Sequence, residues 1–107
     1  MEVKALLKYY RQDEFLMSSG KKIFIEIKLW KLATDKPEFP EGYKFKWMAF
    51  NRDNPREMIR FDNHRGKGPH YHENGTEVFF IWKSRQHTQQ MFYQMIIKKF
   101  GNFIQKL

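Results

Sequence analysis

The segment Phe61 to His72, reading FDNHRGKGPHYH, crowds His64, His70 and His72 together with Asp62, Arg65 and Lys67. Histidine is the side chain that both gives and takes a proton near neutrality, and when neutral it can ligate a metal. Gly66, Gly68 and Pro69 exclude a helix here and permit a tight backbone path on which polar side chains can converge. His70 and His72 stand two apart, so in extended chain they point to the same side. A solvated hairpin connection is the plain alternative, since loops are normally polar and exposed. Histidines scattered over a surface would not, however, gather three of their four number into this one segment.

Three chemistries fit these residue types. Cleaving RNA through its own 2′-hydroxyl needs a base, an acid and cations for the charge that develops on phosphorus. Two of His64, His70 and His72 could be the base and acid, with Lys67, Arg65 or Arg60 holding the phosphate and no cofactor required. Tyr71 could stack on a base or donate a hydrogen bond. Asp62 could orient a histidine, although an Asp beside Asn63 also suits a turn. The second chemistry is a divalent metal held by His70 and His72 with His64 or Asp62, leaving a position for water; Arg65 and Lys67 oppose a cation there. The third is non-enzymatic, a positive surface binding nucleic acid or an acidic protein, with the histidines only making contacts.

The elements that must position this segment are largely strands. Lys22 to Leu32 alternates, with Ile23, Ile25, Ile27 and Leu29 on one face and Phe24, Glu26, Lys28 and Trp30 on the other, the period of a half-buried antiparallel strand. Tyr43 to Phe50 alternates again, with Lys44 and Lys46 opposite Tyr43, Phe45 and Trp47. Lysines beside aromatics suit a base-stacking, phosphate-contacting surface, while an aromatic row on a strand also suits a core. Glu57 to Asp62 returns as the next strand, with Ile59 and Phe61 inward and Arg60 and Asp62 opposite. Asn74-Gly75 suits a type I′ hairpin turn between a strand holding His70 and His72 and one running from Glu77 to Trp82.

Ser84 is a natural N-cap for a helix reaching about Phe100, where Lys98 and Lys99 suit the dipole and Gly101 the stop. The first ten residues fit helical spacing, whereas Tyr9 to Met17 reads equally as an irregular strand. The expected fold is α+β: an antiparallel sheet of four to six strands, a C-terminal helix packed on one face, and room for a short N-terminal helix. The loop Ala33 to Gly42 is too short to divide the chain, so residues 1–107 form one domain.

Composition narrows the classes. Aromatics at 18% with 11 Phe exclude a disordered chain, and the absence of cysteine removes disulfide frameworks and thiolate zinc sites. No apolar run approaches a membrane span and no signal-peptide pattern opens the chain, so a cytoplasmic protein without a membrane partner is expected. Twenty Lys and Arg against 12 Asp and Glu give a net charge of +8, which favours a polyanionic partner.

Arg60-Phe61-Asp62-Asn63, Gly66-Lys67-Gly68 and His70-Tyr71-His72, following strands reading KKIFIEIKLWKL and EGYKFKW, resemble the TumE family of toxins from prokaryotic toxin–antitoxin systems. The resemblance spans roughly Phe15 to Gly101. It departs from the family pattern at Arg65, where a histidine often precedes Gly-Lys-Gly, and at Tyr71, where Arg is frequent; His70 and His72 are therefore the safest residues to carry over. The resemblance implies a small protein encoded beside an antitoxin and inhibiting growth when free; RNA as the target is expected from the histidines and the positive charge, and an exposed sheet edge could allow a homodimer.

Overall fold

The computed structural model describes residues 5–32, 42–64 and 67–107, with the side chains of Ala5 and His64 outside that description. Residues 33–41 of the expected loop Ala33 to Gly42, and Arg65, therefore lie outside the described residues. Within them the chain runs β1 (Ala5–Met17), β2 (Lys22–Leu32), β3 (Tyr43–Asn51), β4 (Asn54–His64), β5 (Gly68–Glu73), β6 (Thr76–Phe79), α1 (Arg85–Phe100) and β7 (Phe103–Lys106). The strands form one antiparallel sheet in the order β6-β5-β4-β3-β2-β1-β7.

The α+β class holds, but among the described residues the sheet has seven strands rather than four to six, and from Ala5 on the opening segment is strand rather than a short helix. Its 13 residues pair with β2 along almost their whole length, with a bulge between Leu7 and Tyr9 that breaks the strict alternation. Tertiary pairing thus overrides the helical spacing of the first residues. The extra strand, β7, follows the helix stop at Gly101 and pairs antiparallel with Phe15, Leu16 and Met17.

Alternation decides which face each residue takes. Ile23, Ile25, Ile27 and Leu29 face Phe45, Trp47, Ala49, Ile59 and Phe61, and the helix lays Phe92, Ile96 and Phe100 onto them. Phe61 meets Phe92 edge-on at 5.4 Å and Trp47 lies 5.7 Å from the same ring, so the aromatic row reads as core. Ser84 caps the helix by accepting from the His87 N–H, and the Gly101 N–H returns to the Ile97 carbonyl. Asn74 and Gly75 both have positive φ, 51° and 78°, as a type I′ turn requires.

Candidate functional site

The register carries two rows of mostly polar side chains across the sheet face opposite the helix. One row is Lys28, Lys46, Asp62 and His70; the next is Glu26, Met48, Arg60, His72 and Glu77. Asp62 and His70 are direct cross-strand partners on β4 and β5, as are Arg60 and His72. Residues that are four or more apart in sequence thus become nearest neighbours through pairing alone.

His70 is fully enclosed, and its Nε2 lies 2.6 Å from Asp62 Oδ1 and 3.3 Å from Glu77 Oε1. Its Nδ1 lies 2.9 Å from the Gly68 carbonyl oxygen, which can only accept, so Nδ1 carries a proton and Nε2 is the atom turned toward the carboxylates. Gly68 itself has φ +80°, a conformation that aims this carbonyl and that other residues rarely adopt. Asp62, 4% exposed, also has Arg60 Nε at 3.1 Å, which offsets part of the cost of burying a carboxylate.

His72 is more open, with 27% of its side chain exposed and its Nε2 3.8 Å from Glu77 Oε1. Burial, followed by the nearby charges of Arg60 and His70, holds its pKa below the ordinary histidine value, so the ring favours its neutral form. The two histidine rings meet edge-on at 5.0 Å. Lys67 reaches Glu77 Oε1 at 3.1 Å, and this hydrogen bond leads the effects that lower the Glu77 pKa.

One donor atom each from Asp62, His70 and His72 lies within 4.8 Å of the others, a spacing at which they could hold a metal ion. Asp62 fills the third place of that alternative; the His64 side chain lies outside the described residues, although its backbone closes β4 opposite Gly68. Glu77 joins the cluster unannounced by sequence reasoning. Its only sequence signal is its distance past Asn-Gly, which a two-residue turn converts into pairing with His72.

Beside the cluster runs a trough of about 350 Å³ lined by Lys28, Trp30, Lys44, Lys46, Arg60 and Asp62. The Lys44 ammonium sits 5.6 Å over the Trp30 ring, a cation–π contact. Lys44, Lys46 and Arg60 therefore share one sheet face with His72.

Tyr71 does not share it. Period two turns Tyr71 to the helix side, where it stacks on Phe61 at 5.2 Å and packs against Phe80, so the expectation that it stacks on a substrate base is corrected. Asn63, which also lines the trough, is buried, its Oδ1 accepting from the Phe45 N–H at 2.9 Å and its Nδ2 donating to the Tyr43 carbonyl at 2.7 Å. Its support is mechanical, since its amide stands in for the peptide hydrogen bonds where the β3–β4 pairing ends at Lys46 and Asp62.

Comparison with protein-family models, with curated proteins and with solved structures finds no match to this chain. Among the described residues, no helix is long and apolar enough to cross a membrane.

Proposed function

We propose that this protein is the toxin of a toxin–antitoxin system and that it acts on RNA as an endoribonuclease. The observation that carries the reading is the basic trough that ends at Asp62, the cross-strand partner of His70, with His72 in the next row. A single strand of RNA needs cations to follow its backbone and a ring on which a base can stack; Lys28, Lys44, Lys46 and Trp30 supply these on one face. A strand lying there brings a phosphodiester against Arg60 and His72. His72 is the ring such a phosphate can reach, because His70 is enclosed. Arg60 and Lys67 are the cations that offset charge developing on the phosphate during cleavage. His70 and Asp62 act behind His72 rather than on a ribose hydroxyl. The toxin role and the antitoxin partner come from the resemblance in the Asp62 to His72 motif.

The test is cleavage of a mixed RNA substrate by purified protein, with His72→Ala and Lys44→Ala/Lys46→Ala run alongside. Cleavage that falls at least a hundredfold in His72→Ala supports the nuclease. Salt-sensitive RNA binding with no cleavage by the parent protein sinks it and leaves a binding module; no interaction with RNA at all points to another target.

A further inference from the structure

We infer that Asp62, His70 and His72 form a binding site for a divalent transition metal of the zinc type, with Glu77 at its rim and a phosphodiester oxygen as its exchangeable ligand. The inference rests on the reading of this cluster as the reactive site, and it names the cofactor.

Three observations carry it. First, the hydrogen bond between His70 Nδ1 and the Gly68 carbonyl fixes the proton on Nδ1, so the Nε2 lone pair faces inward. A backbone carbonyl holding the far nitrogen of a ligating histidine is the usual device for orienting such a ligand. Second, that lone pair meets carboxylate oxygens at 2.6 Å and 3.3 Å. Lone pairs converging at such distances need a cation between them, and the cation is either a second proton on His70 or a metal. Third, the spacing suits a metal. A tetrahedron with bonds of about 2.0–2.2 Å has edges of about 3.3–3.6 Å. The donor atoms of Asp62, His70 and His72 lie within 4.8 Å of one another, so small side-chain adjustments, with the Asp62–His70 pair opening from 2.6 Å by about 0.7 Å, reach such edges.

The donor set chooses the class of ion. Two imidazoles with carboxylate oxygen suit zinc and its neighbours, whereas magnesium and calcium prefer all-oxygen shells. Among the described residues, the neighbouring cations are already paired, Arg60 with Asp62 and Lys67 with Glu77. With those charges offset, a bound dication leaves the site positive. Its remaining ligand is then favoured to be an anion, and the trough beside Asp62 delivers the phosphates of the proposed substrate.

Isothermal titration of chelator-stripped protein with zinc chloride, without RNA, tests this directly. The expected result is one equivalent bound with micromolar or tighter affinity, weakened about a hundredfold or more in His72→Ala and in Asp62→Asn, and unchanged in His87→Ala. Magnesium chloride should give no comparable binding. Because Asp62 is buried, circular dichroism must show each variant folded; His72→Ala, at a half-exposed position, keeps the test decisive if Asp62→Asn does not fold. Absence of zinc binding by the parent protein, or binding indifferent to His72→Ala, overturns the site. Zinc binding without RNA cleavage upholds the site while removing the ribonuclease reading.

Discussion

His70 and Asp62 face each other across the β4–β5 ladder with Nε2 and Oδ1 2.6 Å apart, both buried. Removing the carboxylate takes one buried ion-pair partner from each of Arg60 and His70. Asp62→Ala should therefore cost on the order of 3–5 kcal/mol of stability, the range for breaking a buried pair, read as a lowered midpoint in urea. A loss below about 1 kcal/mol, the value of an exposed pair, would show that the pair is not held as described.

The same cluster predicts the effect of metal removal. Dialysis against EDTA should abolish RNA cleavage, and one equivalent of zinc should restore it. Cleavage that continues in excess chelator would return the chemistry to the histidines alone.

Much of this arrangement was legible in the sequence. Alternation in Lys22–Leu32 and Tyr43–Phe50 put Ile25 and Ile27 on one face and Phe45 and Trp47 on one face, the faces that form the core, and the same rule set Arg60 and Asp62 opposite Ile59 and Phe61. Ser84 and Gly101 marked the helix ends. What escaped depends on pairing. Glu77 enters the cluster only because the Asn74-Gly75 turn sets it opposite His72. The strand Phe103–Lys106 has no pattern of its own and exists because Phe15–Met17 offers it an edge. The opening strand was obscured because its bulge at Leu7 and Tyr9 breaks the alternation. Tyr71 was misplaced by its chemistry, although its position between two histidines already assigned it to the other face.

The lysines of the trough should govern affinity rather than turnover. Each phosphate contact removed lowers the slope of log affinity against log salt by about 0.7 for a single strand. Lys44→Ala/Lys46→Ala should thus flatten the slope by roughly 1.4, while cleavage at saturating RNA changes little. Fluorescence anisotropy across a salt series measures the slope, and an unchanged value would place the RNA elsewhere.

Glu26 lies on the same sheet face, and its carboxyl pKa is lowered from 4.5, first by the Gln12 amide, against opposition from burial, and then by Lys28. A carboxyl depressed in the folded state contributes stability that is present above its unfolded pKa and is lost as pH falls through the folded one. Urea midpoints should consequently decline below about pH 4.5, and Glu26→Gln should make that decline shallower. Parallel curves for the two proteins would remove Glu26 from the acid response.

Gly101 ends the helix with φ 89° and ψ −171°, a region essentially reserved for glycine, and a Cβ there would run into Ser18 Oγ. Gly101→Ala should cost about 1–3 kcal/mol from the backbone alone, with the contact adding to it. Hydrogen exchange should then show the amides of Phe103–Lys106 opening first. Protection unchanged across that strand would mean that the turn tolerates a side chain.

The sheet order has a consequence for how the molecule assembles. From β1 to β6 every strand pairs with its sequence neighbour, so each hairpin closes a short loop; only the β1–β7 pairing joins the two ends of the chain. Loop-closure entropy therefore delays β7 far more than any hairpin. The stretch from Asp62 to Glu77 is contiguous in sequence and needs neither chain end to bring its side chains together. It is a self-contained module of two hairpins, portable in principle to another antiparallel sheet that offers the same register.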